Sequence, residues 1–111
     1  MDCIFCKIVK KEIPSTIVLE NDSLIAIKDL NQQAPVHILI MPKRHFSTIL
    51  ECKDKGLLGD MLSMANQAAE KLGVSKKGFR VVINTNEDGG QTVFHLHMHL
   101  LAGRPLSGMM G

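Results

Sequence analysis

Three patterns in this 111-residue chain predict an α+β fold with one antiparallel sheet, one short helix and one long helix. The first is strict alternation in His95-Leu96-His97-Met98-His99-Leu100, the mark of a strand whose successive side chains point to opposite faces. The second is a change to helical period between residues 54 and 72. The third is a pair of short β-rich runs, 16–20 and 24–29, joined across the turn residues Asn21-Asp22-Ser23.

Each element follows from its own residues. Residues 3–10 predict a short amphipathic helix with Ile4, Phe5 and Ile8 turned inward, broken by Pro14 and Ser15. After the first two strands, 31–35 is a polar loop with Gln32 and Gln33. Residues 37–41 form a continuous apolar run closed by Pro42, as expected of a strand buried on both faces. From Asp54 to Leu72 the residues Leu57, Leu58, Met61, Ala65, Ala68, Ala69 and Leu72 share one helical stripe. Gly73 stands where a C-terminal capping glycine belongs. Residues 79–84 predict a fourth strand and 93–101 a fifth, the two forming an antiparallel hairpin around Gly89-Gly90. The tail, 102–111, has no clear period.

Residues 1–111 are expected to form a single domain. The hydrophobic share of 45% is enough for one core, and with no Trp or Tyr and four Phe that core is aliphatic. A net charge of +2 is too small to predict nucleic acid or a membrane surface as partner. No run approaches the roughly 18 apolar residues of a membrane span. The start, Met1-Asp2-Cys3-Ile4-Phe5-Cys6-Lys7, lacks the basic region and apolar stretch of a signal peptide, so a cytoplasmic location is expected. Thiols stay reduced there. Cys3 and Cys6 then point to metal binding or redox chemistry rather than a disulfide, and Cys52 to an inert small residue.

The alternation places Leu96, Met98 and Leu100 in the core and His95, His97 and His99 in a row on the opposite face, spaced by about 6.6 Å. Imidazole exchanges protons near neutral pH, attacks electrophiles and binds metals. One ion cannot gather all three. The outer Cα atoms lie about 13 Å apart on a straight strand, whereas zinc holds its nitrogens at about 2.0–2.1 Å. The row therefore consists of residues with different tasks. Cys3-x-x-Cys6 lacks the preceding strand of a thioredoxin-like motif. With His45 and one histidine of the row it would complete a Cys₂His₂ zinc site, closed and hence structural; otherwise the cysteines are two small buried residues.

Gly89-Gly90-Gln91-Thr92 is either a plain turn or one whose backbone N–H groups gather phosphate oxygens. Thr92 shares the parity of the core residues, so its hydroxyl serves a site only if the turn rotates it. His37 is either a hydrogen-bonded core residue or the group that orients a nucleophilic imidazole. Asn84 either bonds substrate or caps its strand. Asp29 is expected to be exposed unless a ligand sugar lies over it.

His95-Leu96-His97-Met98-His99-Leu100-Leu101 matches the His-φ-His-φ-His-φ-φ signature of the histidine-triad (HIT) family, and the chain resembles that family over nearly its whole length. It is most similar to the Hint branch, the nucleoside phosphoramidases. Ile4-Phe5-Cys6-Lys7-Ile8-Val9, Ala34-Pro35-Val36-His37-Ile38-Leu39-Ile40-Met41-Pro42-Lys43, and Asn84 followed by Gly89-Gly90-Gln91-Thr92-Val93-Phe94 carry the likeness. The resemblance implies a five-stranded antiparallel sheet and a homodimer whose sheets join into one of ten strands. It implies hydrolysis of the P–N bond of purine nucleoside phosphoramidates through a covalent nucleotidyl-histidine. His97 would be the nucleophile, His99 would contact the phosphate and assist the leaving group, and His37 would hydrogen-bond His97. Asn84, Gly90, Gln91 and Thr92 would bind the phosphate or leaving group, Asp29 the ribose, and Phe5, Ile8 and Leu30 the base. Having His99 where the transferase branch has glutamine favours hydrolysis. Family members with these cysteines resemble zinc binders, which implies Cys3, Cys6, His45 and His95 as ligands of a structural Zn2+. The tail departs from the tryptophan-proline ending of many relatives. The competing expectations are a dinucleoside polyphosphate hydrolase, a nucleotide-binding adaptor with incidental catalysis, and a metalloenzyme using the row itself.

Overall fold

The computed structural model describes residues 2–111. In chain order the elements are α1 (Ile4–Val9), β1 (Ile17–Glu20), β2 (Leu24–Lys28), β3 (Val36–Pro42), a 3₁₀ turn (Ile49–Glu51), α2 (Lys55–Lys71), β4 (Phe79–Val82) and β5 (Met98–Ala102). The strands make one sheet in the order β1-β2-β3-β5-β4, with every neighbouring pair antiparallel. Asn21 sets the first hairpin, its side-chain oxygen accepting the N–H groups of Ser23 and Leu24 at 2.9 and 2.8 Å.

The period-two patterns sort side chains onto two faces. Leu24, Ala26, Ile38, Ile40, Met98 and Leu100 pack beneath the Met61, Met64, Ala65, Ala68 and Ala69 stripe of α2. Asp54 caps that helix by accepting the Leu57 N–H at 3.0 Å, and Gly73 leaves it at φ +74°. On the other face Ile25, Ile27, Leu39 and Met41 pack against Cys3, Phe5 and Ile8 of the α1 region. Both faces of β3 are covered, as its unbroken apolar run predicts.

Three expectations change. Ile4 is half exposed while Phe5 and Ile8 point inward, because a helix this short presents only one i, i+3 pair to the sheet. The last two strands pair, but residues 83–97 connect them rather than a tight turn at Gly89-Gly90. The histidine strand itself begins only at Met98. Residues 93–97 keep the alternation without the ladder: Leu96 still enters the core, yet its N–H donates to the Phe46 carbonyl at 2.7 Å, outside the sheet. Alternation reports burial on two sides, not strand pairing.

Candidate active site and metal centre

The histidine row lies under cover rather than on an open face. His95 is fully buried, His97 and His37 are buried, and His99 is partly exposed. The Phe5 ring stands edge-on to both His95 and His97, with centroids 5.9 and 5.0 Å away. Beside it opens a cleft of about 420 Å³, lined by Phe5, Ile8, Ile27, Asp29, Leu30, Leu39, Thr92, His97 and His99, among others. Thr92 reaches it because residues 92–97 are freed from strand geometry. Leu30 is almost wholly exposed at the rim. Asn84 and Gly90 are not among the lining residues.

Backbone groups fix the ring tautomers. A carbonyl can only accept, so His97 donates its Nδ1–H to the His95 carbonyl at 2.7 Å and keeps the lone pair on Nε2. The Gln33 N–H donates to His37 Nδ1 at 3.0 Å, which leaves the His37 proton on Nε2. That proton faces His99 Nδ1 at 2.9 Å, with Asp29 Oδ2 at 3.3 Å, so neutral His99 carries its own proton on Nε2. His37 therefore bonds His99 and not His97; the non-attacking nitrogen of His97 is already committed to a backbone carbonyl. Burial lowers the pKa of all three rings. For His99 burial comes first, then repulsion by His97 and His37, against a smaller raising effect of Asp29, and the result is about 4. For His97, desolvation outweighs the bond to the His95 carbonyl, and for His37 it outweighs the Asp29 carboxylate.

Cys3, Cys6, His45 and His95 meet on the other side of Phe5, with their ligand atoms all within 4.8 Å of one another. His45 Nδ1 lies 3.2 Å from His95 Nδ1 and 3.3 Å from Cys6 Sγ, and Cys3 Sγ lies 3.4 Å from His95 Nδ1. A tetrahedral zinc ion with its usual bond lengths spaces its ligands by about 3.3–3.8 Å, so these residues fit. His95 donates its Nε2–H to the Pro42 carbonyl at 2.8 Å, which turns the Nδ1 lone pair to the cluster, as outer-shell partners of ligating histidines do. Asp29, His37 and His99 also converge. They do not suit a metal, because the Gln33 N–H holds His37 Nδ1 as an acceptor and so keeps a proton on the nitrogen that faces the cluster.

Gln91, expected to touch substrate, turns inward. Its Oε1 accepts the Asn86 N–H at 2.9 Å, and its Nε2 donates to the Ser47 and Val93 carbonyls at 2.8 and 3.0 Å. Gly89 is required in the same turn, since a Cβ there would lie 2.4 Å from the Thr85 carbonyl oxygen. Sequence reasoning missed the carbonyls of Pro42, Phe46 and His95 and the N–H of Gln33, which carry no side-chain signal.

Residues 10–106 match the HIT domain family. The chain is 44% identical over 111 residues to the purine nucleoside phosphoramidase of Escherichia coli (strain K12), covering 98% of this chain and 93% of the relative. It is 48% identical over 108 residues to an uncharacterised HIT-like protein of Synechocystis, covering 96% and 94%. Among solved structures, a HIT family hydrolase from Legionella pneumophila superposes with a TM-score of 0.95 at 44% identity, over 99% of this chain and 100% of that one. A histidine triad protein from Clostridium difficile does so with 0.95 at 46%, over 98% and 96%. A match of this extent, on a fold whose five strands and two helices coincide with theirs, makes the chain a member of the HIT domain family.

Proposed function

We propose that this HIT-family chain is a nucleotidyl hydrolase that cleaves the P–N bond of purine nucleoside phosphoramidates through a nucleotidyl-His97 intermediate. One observation carries the reading: the His95 carbonyl takes the Nδ1–H of His97, so a neutral, buried imidazole presents an Nε2 lone pair beside an open cleft. The identity to the Escherichia coli phosphoramidase supports the substrate class.

His97 Nε2 attacks the α-phosphorus, and the bond from phosphorus to the leaving amine breaks. With the anionic phosphate beside it His99 takes up a second proton on Nδ1, the His37 Nε2–H turning to Asp29. As imidazolium it gives its Nε2 proton to the departing amine and, then neutral, takes one back from the water that attacks the nucleotidyl-imidazole, freeing His97 and the nucleotide. His37 is a positioning residue for His99. Asp29 holds the ribose, Thr92 the phosphate, and Phe5, Ile8 and Leu30 the purine. A Zn2+ held by Cys3, Cys6, His45 and His95 would tie α1 to the histidine segment as a structural clamp. The chain acts in the cytoplasm as a homodimer joined through β4. A break in register between Ile17 and Leu19 blunts the opposite edge, β1, whereas β4 pairs regularly with β5 and leaves its outer edge open.

The test is release of AMP from adenosine 5′-phosphoramidate. Wild-type turnover is expected to fall by about a thousandfold or more in His97→Ala. A folded wild type that binds nucleotide without turnover would overturn the enzyme reading in favour of an adaptor. Faster cleavage of a dinucleoside polyphosphate would replace the substrate class.

A further inference from the structure

The carbonyl that orients His97 belongs to the peptide unit joining His95 to Leu96. The N–H of that same unit donates to the Phe46 carbonyl at 2.7 Å. The plane on which the His97 tautomer depends is thus held from its far side by the 46–47 segment. Five hydrogen bonds hold that segment and the turn beside it. The Ser47 carbonyl accepts from Gln91 Nε2 at 2.8 Å. The Ser47 N–H donates to Glu51 Oε1. Gln91 also closes its own turn, exchanging its N–H and its Oε1 with the carbonyl and N–H of Asn86 at 3.0 and 2.9 Å, and it donates to the Val93 carbonyl.

We propose that Gln91 is a positioning residue for His97: its carboxamide locks the 46–47 segment to the 86–93 turn and thereby sets the peptide plane that fixes which ring nitrogen of His97 is free. Several features separate this role from general packing. The side chain is buried, both of its polar ends are satisfied, and every partner is a backbone group. Those partners lie in the two segments that flank the histidines outside the sheet. Residues 93–97 lack a ladder, so side-chain ties must replace the hydrogen bonds that a strand would have supplied. Free histidine prefers its neutral proton on Nε2, the nitrogen that must be bare for attack. The protein has to oppose that preference, and a loosened 95–96 peptide would restore it.

The kinetic consequence rests on the function proposed above; the tautomer consequence does not. Gln91→Met conserves volume and removes both donors, while Gln91→Glu keeps the acceptor for Asn86 and loses the donors. Imidazole ¹⁵N spectra above the histidine titration range are expected to show His97 protonated only on Nδ1 in the wild type and a shift toward Nε2–H in both variants, with His37 and His99 unmoved. With adenosine 5′-phosphoramidate, kcat is expected to fall about tenfold or more while KM stays within about threefold. In the wild type, the Gln91 carboxamide protons are expected to resist solvent exchange as the Leu96 N–H does; free exchange would overturn the proposal even if neither variant folds. An unchanged His97 tautomer in a folded variant would overturn it as well. A tautomer shift in a chain that does not cleave the phosphoramidate would sustain the role of Gln91 and defeat the substrate reading.

Discussion

The two groups of convergent ligand atoms each contain a pair of histidines and are built for opposite purposes. In the Cys3, Cys6, His45 and His95 cluster, the Pro42 carbonyl takes the Nε2–H of His95 and leaves a lone pair facing the thiols. In the Asp29, His37 and His99 cluster, the Gln33 N–H takes the lone pair of His37 and leaves a proton facing its neighbours. One backbone acceptor makes a ligand; one backbone donor makes a link in a proton chain. The second atom bonded to an imidazole decides its chemistry more than the first atom it faces.

That contrast breaks or stands on separable substitutions. The largest effect is expected from Cys6→Ser: bound zinc, measured by mass spectrometry of the purified protein, should fall from about one ion per chain to near none. With it the melting temperature should drop by on the order of 10 °C, since metal binding is coupled to folding. His37→Phe should leave the zinc content intact and lower kcat by about a hundredfold, the range of a lost acid–base contribution. If His37→Phe also emptied the metal site, the two clusters would be one. The smallest effect concerns pH. His99 has its folded pKa lowered from 6.5 to about 4 by burial and by His97 and His37, against Asp29. Its neutral form is therefore the one the fold favours. The stability tied to it is complete above pH 6.5 and is lost as the pH falls toward 4, because the unfolded chain takes up the proton first. Denaturation midpoints across that window should slope less in His99→Gln than in the wild type.

Much of this was legible before any coordinates. Leu57 to Leu72 declared a helix by period, the unbroken run from Ile38 to Met41 declared a strand covered on both sides, and the cysteine spacing with His45 declared a ligand set that does converge. The partner of His37 was not legible. Register places it opposite Leu101, diagonal to His99, and a hydrogen bond across two strands depends on ring rotation that no one-dimensional pattern encodes. Nor could alternation tell that residues 93–97 leave the sheet, since Leu96 obeys the pattern through burial alone. Gln91 carries a polar side chain beside glycines, which reads as a ligand-facing turn until its three partners are seen to be backbone groups of the protein itself.

The six residues of α1 are too few to hold a helix on their own. Three of them, Ile4, Phe5 and Ile8, line the cleft, while Cys3 and Cys6 anchor the same turn beside His95. Whatever orders this segment from one side is felt on the other. Occupancy of the cleft and of the cysteine cluster then share a single free energy of ordering, and each is expected to tighten the other by the same factor. A cell short of the ion would, on this account, also see a weaker grip on the nucleotide.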